Sequence, residues 1–245
     1  MSVRGPLSQN QSYSSNLKYR AMSLSRMRPF MGRHRTGAKP DMSPSRFRLR
    51  RVFRRPISLV ARPLVKAGVR PDTVSYLSLL AAVIAWLTLL ILHLPVEYGI
   101  LVFIVGILDG LDGAVARGSG RVSRSGALTD SVVDKVAEVV LLVAIGTAYP
   151  DDVVLGLPVS IWVILCVSGW LLTSYTRSRA EALGVTDLDV GLGGRSERLL
   201  ILAVFSMLGC LLWGLVVSTF LGLLTAGYRF SHYKGELGIA DRTVS

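Results

Sequence analysis

The sequence is poor in several things, and each shortage narrows the reading. It has only two cysteines, Cys166 and Cys210, so a disulfide framework is excluded. Both fall inside apolar runs and read as small buried hydrophobes. Acid is almost missing from the first 70 residues, which hold 17 Lys+Arg against a single carboxylate, Asp41. The rest of the chain reverses that balance, with 11 basic and 15 acidic residues. The N-terminal region also lacks an apolar run, so no cleaved signal peptide is expected. Residues 1–43 are rich in Ser, Arg, Met, Gly and Pro and show no apolar periodicity. They are expected to form a disordered basic arm suited to anionic lipid headgroups. Such charge also suits nucleic acid, but neither a nucleic-acid-binding fold nor interleaved aromatics accompany it, and no nucleic-acid partner is expected.

Beyond residue 72, long stretches with few charges take over. Six apolar segments are legible, at about 73–94, 96–117, 125–148, 153–176, 197–211 and 213–231. A helical membrane span needs roughly 20 predominantly apolar residues. The expected fold is therefore all-α, a six-transmembrane-helix bundle over residues 71–235, with a tight turn near Gly209–Gly214 and a short tail over 236–245. Ahead of it, residues 44–70 read as a juxtamembrane amphipathic helix lying in the interface. Leu49, Val52, Phe53, Ile57, Val60 and Leu64 recur on one face and arginines on the other, with Pro56 or Pro63 as a point of interruption. Asp72 or Thr73, next to Pro71, offers an N-cap for the first span. The loops alternate between basic and non-basic, which places both termini in the cytosol.

Ionisable residues inside such spans are costly and point to function. Asp109, Asp112, Gly113, Ala116 and Arg117 form one helical stripe at three- and four-residue spacing. Gly126, Asp130, Asp134 and Glu138 form a second at i, i+4. The polar turn Gly118–Ser125 joins the two helices, so the stripes are expected to face each other. Four carboxylates around one point make an all-oxygen site for a hard divalent cation, Mg2+ or Mn2+. The small residues leave room for another molecule to approach the backbone, and Arg117 supplies a planar fork for phosphate.

These residues spell D-x2-D-G-x2-A-R-x8-G-x3-D-x3-D, with Asp109, Asp112, Gly113, Ala116, Arg117, Gly126, Asp130 and Asp134 at the fixed positions. The pattern resembles the signature of the CDP-alcohol phosphatidyltransferases. A further stretch, Ser174-Tyr-Thr-Arg177-Ser-Arg179-Ala-Glu181 followed by Gly194-Arg195-Ser-Glu197-Arg198, resembles the S-Y-x-[KR]-A-R-A-E and E-R-x-E-R motifs of the family's inositol-phosphate-using branch. Ser178 stands where that branch has Ala, and Gly194 where it has the first Glu. The resemblance covers roughly residues 70–235.

The resemblance implies an integral-membrane transferase that moves a phosphatidyl or archaetidyl group from a CDP-linked lipid to inositol phosphate and releases CMP. It implies metal ligation by Asp109, Asp112, Asp130 and Asp134, with Asp134 also acting as general base. Asp72, Thr73, Gly113, Ala116, Arg117, Ser123 and Gly126 would contact the CDP-lipid. Arg177, Arg198 and Arg229, with Arg195, would hold the acceptor phosphate, a role that also makes chemical sense of so many arginines. Glu138 is expected to be a structural polar residue. A homodimer is implied as well, and Ala137, Ala144 and Gly146 on the third span permit close helix contact. Three other readings stay open at this point. They are the same chemistry with glycerol phosphate or another polar acceptor, a cation transporter using the carboxylates in transit, and a membrane-anchored nucleic-acid binder using the arm.

Overall fold

The computed structural model describes residues 49–244 apart from 189 and 192. The expected arm over 1–43 and the start of the helix expected from residue 44 lie outside these residues. Seven helices follow in order: α1 Leu49–Lys66, α2 Pro71–Leu92, α3 Pro95–Ser119, α4 Arg124–Ala148, α5 Val159–Ala182, α6 Arg195–Met207 and α7 Leu211–Val244. Between α4 and α5 a small antiparallel ladder pairs β1 (Val153–Val154) with β2 (Leu157–Pro158).

Among the described residues, four helices are long and apolar enough to cross a membrane: α2, α3, α5 and the Leu211–Ile239 part of α7. The other two segments expected to span differ for visible reasons. α4 carries Asp130, Asp134, Lys135 and Glu138 in its first half, and α6 is only 13 residues long.

Several boundaries differ from expectation. The fourth apolar segment begins as the ladder, and its helix starts only at Val159, because Pro158 takes the N-cap. The N-cap of α2 is Arg70, with Pro71 inside the first turn, rather than Asp72 or Thr73. Proline tolerates that position because its missing N–H would have no helical partner. α1 runs through Pro56 and Pro63 without a break. It packs on α3 through Ile57, Ala61, Leu64 and Val65, which cluster with Leu111 and Val115 of α3 and Val74 of α2. Val60, counted on the apolar face, points outward with Leu59. The segment expected as a tail from residue 236 continues α7 as far as Val244. Cys166 is buried as expected, but Cys210 is exposed at the turn between α6 and α7.

The packing order decides where the site falls. α2 lies along both α3 and α4, which meet each other over only a short part of their length. α5 packs on α7, and α6 bridges α3 and α7. The principal core joins Tyr98, Val102, Leu141, Ile145, Trp162, Trp170 and Leu202. Tyr98 Oη donates to the Leu141 carbonyl at 2.7 Å, satisfying a hydroxyl buried in that core. Ala137 and Ala144 of α4 are fully buried in the same core, and a Cβ at Gly146 would meet Val163 at 3.4 Å. The small residues expected to form a dimer contact are thus used inside the chain.

Where α5 meets α7 the backbones come close. A Cβ at Gly222 would lie 2.8 Å from Trp170 Cδ1. The missing side chain lets the Trp170 ring edge approach α7, with its Nε1 donating to the Ser218 carbonyl at 3.3 Å. Trp170 is the platform for one of the site arginines.

Candidate active site

The carboxylates come from the C-terminal half of α3 and the first half of α4, at the point where those helices meet. Asp109, Asp130 and Asp134 each offer an oxygen lying within 4.8 Å of the other two. Asp112 sits beside them, buried, with Oδ2 accepting from Ser75 Oγ at 2.9 Å and Oδ1 from the Gly113 backbone N–H. Its carboxyl also meets that of Asp130. Asp130 Oδ1 and Asp134 Oδ1 are buried without any hydrogen-bond donor. Buried carboxylate oxygens left unpaired are expensive. Oxygen-only donors gathered this closely, two of them unsatisfied, fit a hard divalent cation.

Arg195, in the first turn of α6, reaches into this group. Its Nη1 is ion-paired with Asp109 and with Asp134, and its Nε lies 3.0 Å from Glu138 Oε1. It was expected beside the other acceptor arginines but belongs to the carboxylate cluster. The fold explains the difference, since α6 packs on α3 and starts at the level of Asp109. Glu138 is buried and also pairs with Lys135 Nζ at 2.6 Å, so it braces two cations, in keeping with a structural role.

The remaining arginines line the same cavity of about 890 Å3 that the four aspartates face. Arg198 is buried one turn after Arg195, with its guanidinium carbon 4.7 Å from the centre of the Trp170 ring, and its Nη1 donates to the Trp170 carbonyl at 3.5 Å. Arg229 is buried on α7, with Nε donating to the Val190 carbonyl at 2.9 Å and Nη1 to the Thr173 carbonyl at 2.8 Å. Arg177, Gly113 and Arg117 also line the cavity. The cavity thus brings carboxylates and arginines together.

Five expected site residues lie outside this lining: Asp72, Thr73, Ala116, Ser123 and Gly126. Four of them mark a junction between the starts of α2 and α4. Ser123 is the N-cap of α4, its Oγ accepting from the Gly126 N–H at 2.9 Å. A Cβ at Gly126 would lie 2.9 Å from that Oγ and 3.5 Å from Asp72 Oδ1, so the glycine lets Asp72 approach the α4 terminus.

Sequence reasoning missed Ser75, Lys135 and Trp170. Ser75 had a signal, because it lies one turn after Asp72 on the helix facing both aspartate stripes. Trp170 had none, since an aromatic within an apolar run reads as core.

Comparison with known proteins agrees with this geometry. Residues 69–228 match the family model described as CDP-alcohol phosphatidyltransferase. The chain is 27% identical over 192 residues to an archaetidylinositol phosphate synthase of Pyrococcus horikoshii, covering 78% of this chain and 97% of that protein. It is 32% identical over 208 residues to a phosphatidylinositol phosphate synthase of Mycobacteroides abscessus, covering 78% and 90%. The crystal structure of Mycobacterium tuberculosis phosphatidylinositol phosphate synthase with CDP-DAG bound superposes with a TM-score of 0.61 at 26% identity, covering 73% of this chain and 94% of that one. The same mycobacterial protein in complex with manganese and citrate gives 0.62 at 25% identity, covering 72% and 88%. With the family model spanning the carboxylate helices and the first half of α7, the chain belongs to the CDP-alcohol phosphatidyltransferase family.

Proposed function

We propose that this enzyme transfers the phosphatidyl or archaetidyl group of a CDP-linked lipid to inositol phosphate and releases CMP. One observation carries the reading: a single cavity is lined by Asp109, Asp112, Asp130 and Asp134 together with Arg177, Arg198 and Arg229. A carboxylate site for a divalent cation needs no such arginines. An acceptor that already bears a phosphate does, because charge-assisted hydrogen bonds fix it without a second metal. Inositol phosphate is the acceptor class implied by the names of the related synthases. Family membership selects the transferase over the cation transporter.

In the proposed reaction a hydroxyl oxygen of the acceptor attacks the lipid-side phosphorus of the pyrophosphate. The new O–P bond forms as the bridging P–O bond breaks, and CMP leaves with the bridging oxygen. Asp109, Asp112, Asp130 and Asp134 would hold Mg2+ or Mn2+, which when bound neutralises pyrophosphate charge and stabilises the leaving group. Asp134 accepts the hydroxyl proton. Gly113, Ala116 and Gly126 give the nucleotide close access to the helices, Arg117 meets phosphate, and Asp72, Thr73 and Ser123 bound the nucleotide at the α2–α4 junction. Arg195 keeps Asp109 and Asp134 in register from the α6 side.

The acceptor role of Arg198 has a direct test. Arg198→Ala removes a charge-assisted hydrogen bond worth roughly 1.5–3 kcal/mol, so the apparent affinity for inositol phosphate falls about ten- to a hundredfold. CDP-lipid binding changes little. Titrating inositol phosphate and glycerol phosphate in a CMP-release assay measures this. Unchanged inositol phosphate affinity, or equal use of glycerol phosphate, removes the acceptor assignment.

We further infer six membrane-embedded helices, α2 to α7, with cytosolic termini and α1 lying in the interface with Leu59 and Val60 towards lipid. α6, at 13 residues, is about 20 Å long, against about 30 Å of hydrocarbon. If its turn lies at the far face, Arg195 begins well below the cytosolic headgroups, near the depth of a lipid-linked pyrophosphate. Cys210, exposed in that turn, is then labelled by a membrane-impermeant maleimide from outside intact cells. Labelling only after the cytosolic face is opened contradicts this topology. The homodimer implied by the resemblance is retained as a proposal with its contact away from the buried stripe of α4. Sedimentation of the active enzyme in detergent as a monomer would remove it.

A further inference from the structure

Arg198 differs from its neighbours in what holds it. It is 1% exposed, yet none of the ion pairs among the described residues includes it. Its Nε is buried without a hydrogen-bond partner. Arg195, by contrast, is paired with carboxylates, and Arg229 donates from Nε and Nη1 to carbonyls. Arg198 rests instead on Trp170, over the ring at 4.7 Å and against the backbone carbonyl at 3.5 Å. We propose that Trp170 is a positioning residue that sets the affinity for the phosphorylated acceptor, an assignment that rests on the acceptor role proposed for Arg198.

The kind of partner decides what the guanidinium can still do. A carboxylate would neutralise it and occupy its N–H donors. An aromatic face attracts a cation through its quadrupole and takes up no donor. Arg198 is therefore held in place while keeping charge and an unused Nε–H for an incoming anion. A buried cation with an unsatisfied donor is costly, and charge-assisted hydrogen bonds to phosphate offset that cost. Trp170 is not among the residues that line the cavity, so it acts on the acceptor only through Arg198.

The ring is itself fixed from α7. Its Nε1 donates to the Ser218 carbonyl, and a Cβ at Gly222 would lie 2.8 Å from Cδ1 and 3.4 Å from Nε1. Three residues on, Thr173 Oγ1 donates to the Gly222 carbonyl at 3.0 Å, and the Thr173 carbonyl receives Arg229 Nη1. One contact between α5 and α7 thus orients both arginines.

The test is steady-state CMP release with inositol phosphate varied at saturating CDP-lipid and Mg2+, with CDP-lipid binding measured separately. Trp170→Leu is expected to raise the KM for inositol phosphate about ten- to thirtyfold, the worth of a desolvated cation–π contact. Its kcat at saturating acceptor and its CDP-lipid affinity stay near those of the wild type. Trp170→Phe, which keeps a ring face, restores most of the acceptor affinity. Gly222→Ala displaces the ring from the α7 side and raises the same KM, so it carries the comparison should Trp170→Leu not fold. In the Arg198→Ala enzyme, Trp170→Leu costs no further kcat/KM, because both substitutions act through one guanidinium. An additive loss in that double variant makes Trp170 a core residue only, as does a parallel fall in kcat, CDP-lipid affinity and acceptor affinity. A raised KM in Arg198→Ala beside an unchanged KM in Trp170→Leu and Gly222→Ala overturns the positioning role alone. An unchanged KM in Arg198→Ala overturns the acceptor role of Arg198, and the role of Trp170 with it.

Discussion

Asp134→Asn lowers kcat by about 10²–10⁴-fold, the range that a positioned general base contributes, while the enzyme still binds both substrates. The substitution keeps the size of the side chain and one oxygen but removes the group proposed to take the hydroxyl proton. Asp134 is suited to that role because its two oxygens have different surroundings. Oδ2 is ion-paired with Arg195, whereas Oδ1 is buried and receives no hydrogen bond. One oxygen is therefore anchored and the other is open to accept a proton. Single-turnover CMP release measured beside CDP-lipid binding separates the outcomes. A variant that binds normally and turns over within tenfold of the wild type would show that the proton goes elsewhere. A variant that loses binding to the same degree as turnover would make Asp134 a ligand only.

The parts of this protein that were legible in the sequence are those set by spacing along one helix. The aspartates at 109, 112, 130 and 134 had to share faces, and they converge as their periodicity requires. The apolar runs gave the helices, because long stretches without charge admit few other structures. What was not legible depends on which helix packs against which. The stripe of Ala137 and Ala144 is small enough for a contact between protomers or for one within a chain, and only the position of α4 against the core assigns it to the latter. The same ambiguity hid Arg195. Sequence places it three residues from Arg198, but the start of α6 turns Arg195 towards Asp109 and leaves Arg198 over Trp170. Neighbours in sequence thus take different partners in one cavity. Val60 is another case, because the helical pattern is satisfied whether α1 lies on lipid or on α3, and contact with α3 selects Ile57 and Ala61 instead.

Removing divalent cations with an excess of chelator abolishes CMP release, and adding Mg2+ or Mn2+ restores it. The charges require this. Asp109, Asp112, Asp130, Asp134 and Glu138 bring five carboxylates together, and among the described residues Arg195 and Lys135 are ion-paired with them. With every group ionised, three negative charges are left uncompensated, before a pyrophosphate adds more. Like charges at about 4 Å repel by roughly 4 kcal/mol per pair in surroundings of intermediate dielectric, so the donor substrate could not enter such a site unaided. A divalent cation held by the aspartates removes two of the three charges and satisfies the unpaired oxygen of Asp130. Because it binds the folded site, it also raises the melting temperature, by the equivalent of about 2.7 kcal/mol at a hundred times its dissociation constant. Asp109→Asn exchanges a charged ligand for a neutral one, so the Mn2+ concentration giving half-maximal activity and half-maximal thermal shift rises by about tenfold or more, each tenfold being about 1.4 kcal/mol. Full turnover in excess chelator, or an Asp109→Asn enzyme with the metal requirement of the wild type, would refute the assignment of these aspartates to the cation. A thermal shift that moves without any change in the concentration needed for activity would place the cation's structural effect at another site and leave the catalytic one unsupported.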